Sequence, residues 1–262
     1  MLCYPDRRSA LRAGAAVAVG ALTAACGASG RTDPAPTAPT SAAAPSPAKA
    51  PAVAPAPHRF PGQPVEIGHG PRDRPRVALT FHGNGDPATA RAILAEAEKG
   101  GARVTVLAIG SWLDAHPEMA RRILDGGHEL GNHTQRHLAL NAMPEAEAYA
   151  EITECAQRLK RLTGSIGSWF RPSQTRYATP LVRTLAQRAG YPHVLSYDVD
   201  SLDFTSPGAA AVIRTVTGTI RSGSVVSLHF GYADTVAAMP PLLEELARRK
   251  LRAVTTTELL TP

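Results

Sequence analysis

Arg76-Val77-Ala78-Leu79-Thr80-Phe81-His82-Gly83-Asn84-Gly85-Asp86-Pro87 is the stretch on which the fold turns. Its first six residues form an apolar run ending in an aromatic, the mark of a buried strand. Residues 88–99 then carry helical spacing and stop at Gly100-Gly101, a pair suited to a helix C-terminus. The same alternation continues down the chain. Strands are predicted at 102–109, near Trp169, and at 193–199, 224–230 and 251–255. Helices are predicted at 117–125, 144–162, 180–188, 209–221 and 240–249. Repeated βα units imply an α/β fold with a parallel sheet and helices outside it. Seven or so strands within residues 65–262 favour a distorted, somewhat reduced βα barrel.

Upstream of this domain the chain reads as an address. Asp6-Arg7-Arg8-Ser9-Ala10-Leu11-Arg12 is a charged segment resembling a twin-arginine signal. Residues 13–22 are weakly apolar and too short to span a bilayer as a helix. Leu22-Thr23-Ala24-Ala25-Cys26 has the form of a lipobox, so residues 1–25 are expected to be a signal peptide and Cys26 the lipid-bearing first residue. Dual acylation there would give stable anchoring. Residues 26–64 are expected to be a disordered linker. Ten prolines lie between Arg31 and Pro64, among Ala, Thr and Ser, and too few large apolar groups are present to form a core. In polyproline conformation this tether could reach roughly 100 Å. The expected location is the outer face of a bacterial cytoplasmic membrane, within the cell wall.

The full chain carries a net +6, of which the leader contributes +2 through Arg7, Arg8 and Arg12 against Asp6. No Lys/Arg block in the domain is dense enough for nucleic acid. Of three cysteines, Cys3 leaves with the leader and Cys26 carries the anchor, so Cys155 stands alone. An intradomain disulfide is therefore excluded, and the helical surroundings of Cys155 suggest a small buried hydrophobe.

In a βα fold, functional side chains collect where strands end. Polar residues indeed follow the apolar runs: His82, then His133 and His137 after Glu129-Leu130-Gly131-Asn132, then Arg171, then Asp198, Asp200 and Asp203, and finally His229. His133 and His137, four apart, would share one face of a helical turn and could hold one metal ion.

Gly127-His128-Glu129-Leu130-Gly131-Asn132-His133-Thr134, followed by His137, resembles the zinc-binding motif of the polysaccharide deacetylase family, the NodB-homology domain or carbohydrate esterase family 4. Leu79-Thr80-Phe81 opens like the first motif of that family. Phe170-Arg171-Pro172 is similar to the third, Asp200-Ser201-Leu202-Asp203-Phe204 to the fourth and Leu228-His229 to the fifth. The resemblance runs from about residue 76 to 260 and implies a distorted NodB-like βα barrel. It also implies a hydrolase dependent on a divalent metal, zinc being the expected ion, that removes N-acetyl groups from amino sugars of a cell-wall or extracellular polysaccharide such as peptidoglycan. No protein partner is implied. The departure lies in the first motif: where the family has Thr-Phe-Asp-Asp-Gly, with a base and a metal ligand, this chain has Thr80-Phe81-His82-Gly83-Asn84-Gly85-Asp86. Two repairs are open. His82 joins His133 and His137 as third ligand with Asp86 as base, or Asp86 ligates and His82 is the base. The resemblance further implies that Arg171 pairs with the catalytic carboxylate, here Asp86, and that His229, oriented by Asp203, protonates the leaving amine. Backbone N–H groups near Pro172-Ser173-Gln174 would face the oxyanion. The alternative is a catalytically inactive carbohydrate-binding lipoprotein of the same fold.

Overall fold

The computed structural model describes residues 53–262. The signal segment, Cys26 and most of the tether lie outside the described residues. Strands β1 (Glu66–Ile67) and β2 (Arg76–Gly83) are followed by helix α1 (Pro87–Lys99), β3 (Thr105–Ala108), α2 (Gly110–Ala115), α3 (Glu118–Asp125), β4 (Glu129–Asn132) and α4 (Glu145–Thr163). The chain continues through α5 (Pro180–Arg188), β5 (Val194–Leu195), β6 (Val199–Asp200), α6 (Ala209–Thr219), β7 (Val225–His229), α7 (Ala233–Arg248), β8 (Arg252–Val254) and α8 (Thr256–Leu260).

Every ladder between these strands is parallel. The central order is β4-β3-β2-β7-β6, with β8 pairing the first residues of β2. Closure comes from the 194–200 stretch. Its start reaches β4 through Phe170, which bridges both Asn132 and Val194, and its end pairs with β7. The expected strand near Trp169 is thus a single residue, Phe170, bridged on both sides. The expected long strand at 193–199 is two short ones, broken at residues 196–198. The result is the irregular barrel expected.

Alternation along the strands sorts the core, because successive side chains face opposite sides of a sheet. Val77, Leu79 and Phe81 of β2 and Val226 and Leu228 of β7 join the layer under the helices, with Ile93, Leu94, Leu242 and Leu246. Ala78 and Val225 belong to the inner cluster with Ile67, Leu107, Trp169 and Leu195. The same parity turns Thr80 and His82 on β2, and Ser227 and His229 on β7, into the barrel. His82 and His229 are register partners at its C-terminal rim.

Three departures from the sequence reading have physical causes. Helix α7 begins at Ala233 and holds Pro240 and Pro241 in its interior, where a helix start was expected. The prolines forfeit intrahelical bonds, but Ala238, Met239, Leu242 and Leu246 are buried in the core. Tertiary packing therefore outweighs the local cost. Helix α8 went unread although Thr255 and Glu258 form a capping box. Part of the expected linker is packed: Ala54 and Phe60 are buried, Phe60 stacks on Trp169 at 5.6 Å, and its N–H donates to His193 Nε2. Packed structure therefore starts upstream of Val65.

Candidate active site

A cavity of about 690 Å³ opens at the C-terminal rim and is lined by His82, His137, Gln174, Arg176, Tyr197, Asp200, Phe204, His229 and Tyr232, among others. Four imidazoles form a chain beside it. Ring centroids are 4.9 Å apart for His137 and His133, 4.3 Å for His133 and His82, and 4.4 Å for His82 and His229. The structure thus brings four of the seven predicted residues together beside one cavity, with Arg171 and Asp203 buried behind them.

His229 is the best supported of these. Its Nδ1 lies 2.7 Å from Asp203 Oδ1, and its backbone N–H donates to Oδ2 at 2.8 Å. Thr235 Oγ1 donates to the same Oδ2 at 2.7 Å. Burial alone would raise the Asp203 carboxyl. The hydrogen bond and charge of His229, with help from Thr235, outweigh it and hold the group below the ordinary carboxylate range. An ionised Asp203 accepts from Nδ1–H, which leaves the lone pair of His229 on Nε2.

His133 and His137 do not share a helical turn. Strand β4 runs directly into a loop in which Thr134 (φ 68°) and His137 (φ 60°) are left-handed. Local hydrogen bonds hold this unusual backbone. Asn132 Oδ1 accepts from Thr134 N–H, Thr134 Oγ1 accepts from His137 N–H, and buried Glu151 of α4 accepts from Arg136 N–H and Nε–H. His133 Nδ1 sits 2.9 Å from the Arg171 carbonyl oxygen and must donate to it. Its Nε2 lone pair is buried with no partner among the described residues. Burial, followed by the neighbouring His137, pushes the His133 pKa well down, so the ring stays neutral. Burial and then His229 also lower His137. A buried, neutral, unpartnered Nε2 fixed by a carbonyl is what a metal-ligating histidine presents.

His82 presents something else. Buried Arg171 donates from Nη1 to His82 Nε2 at 3.1 Å, from Nε to the Leu195 carbonyl and from Nη2 to the Ser196 carbonyl. A guanidinium can only donate, so His82 Nε2 accepts and the proton sits on Nδ1. Burial first, then His133, His229 and Arg171, drive the His82 pKa well down. In this arrangement His82 offers neither a free lone pair nor a base. Burial also lowers Arg171 to about 10, where it remains a cation at neutral pH.

Asp86 is not brought to the cavity. It is the N-cap of α1, its Oδ1 accepts from Ala88 N–H at 2.8 Å, and Pro87 follows at the first helical position. Asp-Pro before a helix is a capping signature, and that reading was available in the sequence. The expected partnership of Arg171 with Asp86 is replaced by one with His82. Gly83 adds no ligand, and a Cβ there would lie 3.0 Å from both Ala108 Cα and Val106 Cγ1. Asp198 is structural, accepting from Arg72, Ser224 Oγ and the Val225 N–H. As a metal site, therefore, His133 and His137 fit, but the three-ligand set does not form. Among the described residues no group of three His, Cys, Asp or Glu side chains is placed to hold an ion. Cys155 is buried, its thiol pushed up to about 12 by burial, and takes no part.

A parallel βα barrel with a histidine-lined cavity at its strand ends and a buried Asp–His dyad is the NodB-like architecture. The family profile for polysaccharide deacetylases matches residues 69–194. The chain is 31% identical over 194 residues to a peptidoglycan-N-acetylglucosamine deacetylase of Bacillus cereus, covering 72% of this chain and 90% of that protein. The chain belongs to the polysaccharide deacetylase family. Two solved structures share its fold. A carbohydrate esterase family 4 pseudoenzyme from Bacillus anthracis has a TM-score of 0.72 at 22% identity, covering 76% of this chain and 70% of that one. A peptidoglycan N-acetylglucosamine deacetylase has a TM-score of 0.70 at 24% identity, covering 75% and 92%.

Proposed function

We propose that this chain is a cell-wall deacetylase that hydrolyses the acetamide of an amino sugar, with His229 as its proton-transfer group. The observation that carries this reading is the His229–Asp203 dyad at 2.7 Å, with the imidazole facing a cavity and the carboxylate buried behind it. His229 Nε2 takes a proton from water as the water oxygen bonds to the acetyl carbon. It returns that proton to the sugar nitrogen as the C–N bond breaks, releasing acetate and a free amine. One imidazole backed by a carboxylate can serve both steps. His82, a neutral N–H donor, and the Gln174 backbone, left-handed at φ 54°, offer polar contacts to the carbonyl. His133 and His137 are the residues that would hold a divalent ion, zinc being the natural choice for two imidazoles. Such an ion would polarise the acetyl carbonyl and lower the pKa of bound water. Membership of the family and the signal-like N-terminus support a peptidoglycan or related polysaccharide substrate at the outer face of the cytoplasmic membrane, with Cys26 as the lipid anchor.

The test is acetate release from chitotetraose and from peptidoglycan glycan, with zinc supplied. Wild type should release acetate and His229→Ala should not. Silence from wild type on both glycans would overturn the hydrolytic reading. One observation favours a second reading, a sugar-binding protein without catalysis: Arg171 faces an imidazole and no carboxylate stands in the base position. Glycan binding without acetate release would establish it.

A further inference from the structure

The cavity carries a second cation that the proposed hydrolysis does not use. Arg176 lies on the loop leading into α5, half-buried in the cavity wall. Its guanidinium packs against two aromatic rings, 5.2 Å from Tyr177 and 5.1 Å from Tyr197. Its Nε donates to the Tyr197 carbonyl at 3.0 Å, and its own carbonyl accepts from Ser196 Oγ at 2.7 Å. Backbone and Nε are thus fixed, and two aromatic rings pack against the guanidinium. Neither terminal nitrogen has a hydrogen-bond or ion-pair partner among the described residues. Asp200, the carboxylate on the same wall, forms no ion pair with it and accepts instead from the Leu202 N–H. A structural arginine would close its fork on a carboxylate or carbonyls, as buried Arg171 does. Arg176 has its immobilisation already met by the protein and its fork left over. A planar fork held in place matches a carboxylate bidentately, and preorganisation makes such a contact selective.

We infer that Arg176 recognises a carboxylate on the glycan, so that the preferred substrate is an acidic amino sugar and not a neutral one. This rests on the proposed glycan site but not on hydrolysis. The chemical pair that isolates it is N-acetylmuramic acid and N-acetylglucosamine, which differ by one lactyl ether bearing a carboxylate. The carboxylate should dock on the two Nη groups, while the ring lies against the exposed aromatic Phe204, whose side stands 5.4 Å from the His229 ring. The lactyl group and the acetamide occupy adjacent ring carbons, so both can reach one cavity of this size.

The experiment is calorimetric titration of a peptide-free peptidoglycan tetrasaccharide and of chitotetraose, in a His229→Ala background so that turnover does not intervene. The acidic glycan should bind about tenfold more tightly, the equivalent of about 1.4 kcal/mol, and the ratio should shrink as salt rises. R176Q should bring the ratio to about one. R176K, which keeps the charge and loses the fork, should leave an intermediate ratio, and unchanged melting of each variant confirms that it is folded. Equal binding of the two glycans by the Arg176 protein, no binding of either, or a ratio unmoved by R176Q would overturn the inference. Acetate release by the wild-type protein, measured separately, decides the hydrolytic reading. A preference for the acidic glycan with no acetate release would uphold Arg176 and overturn only hydrolysis.

Discussion

Replacing Asp203 by Asn isolates the dyad with the smallest change of shape. Asp203 is fully buried. Its Oδ2 accepts two donors, the His229 N–H and the Thr235 hydroxyl, and its Oδ1 accepts His229 Nδ1–H. An asparagine that keeps its oxygen at the two-donor position must turn its NH2 toward His229. Nδ1 then has to accept, the proton moves to Nε2, and the imidazole meets water with an N–H in place of a lone pair. The comparable tautomer error in a catalytic triad costs about 10⁴ in kcat, and a loss of about 10³–10⁴ is expected here. Stability should fall by the charge-assisted part of these bonds, about 1–3 kcal/mol, or about 2–12 °C in Tm for a domain of this size. Wild type and Asp203→Asn should also converge at low pH. The folded carboxyl is held below its ordinary range, so its stabilisation is complete above the unfolded pKa near 4 and is lost as pH falls through the lower folded value. Acetate release, urea melts from pH 2 to 7 and ¹⁵N spectra of the imidazole would report the three effects. A variant that kept Nδ1–H on His229 and the wild-type rate would refute the reasoning.

His133→Ala and His137→Ala should each lose most zinc uptake by equilibrium dialysis, while His82→Ala should keep it, because His82 Nε2 is taken by Arg171. Loss in His82→Ala would restore the three-histidine site. Arg171→Met should destabilise the fold by several kcal/mol, since the Leu195 and Ser196 carbonyls lose buried donors at about 1–3 kcal/mol each; urea midpoints measure this. Gly131→Ala should cost about 1–3 kcal/mol or prevent folding, because the new Cβ would lie 2.6 Å from the Trp169 carbonyl oxygen. A wild-type melt for that variant would mean that β4 can move away from residue 169.

Much of the fold was legible because strand and helix periods are local. The run at 76–81 and the helices around it depend on residues within a few positions of one another. Elements that depend on distant partners were misread. Phe170 counts as a strand only through bridges to Asn132 and Val194, and α7 keeps its prolines only because its apolar face is covered. At the site, the strand-end rule found His82, His133, Arg171, Asp203 and His229, since strand parity and chain direction are written locally. The assignment of Asp86 failed because proximity in sequence carried no direction. A carboxylate immediately before the first turn of a helix finds orphan N–H groups nearer than any cavity. Arg176, Glu151 and Thr235 lacked any periodic or motif signal, and their roles exist only where separate segments meet.

The altered first motif is consistent in itself, and packing explains why. Arg171 cannot leave its place, since it ties together two backbone carbonyls of the 194–200 stretch that closes the barrel. Its third donor therefore needs an acceptor at position 82. A neutral imidazole supplies one without a carboxylate, and burial beside three other histidines and a guanidinium keeps it neutral. At position 83 an added Cβ would stand in tight contact with Ala108 and Val106 across the β2–β3 ladder, so glycine fits there. The two changes thus support each other. One satisfies the arginine, the other avoids a tight contact with β3, and lone pairs remain beside the cavity on His133 and His229. A site that had merely lost function would have no reason to keep the second of these backed by a buried carboxylate with three donors.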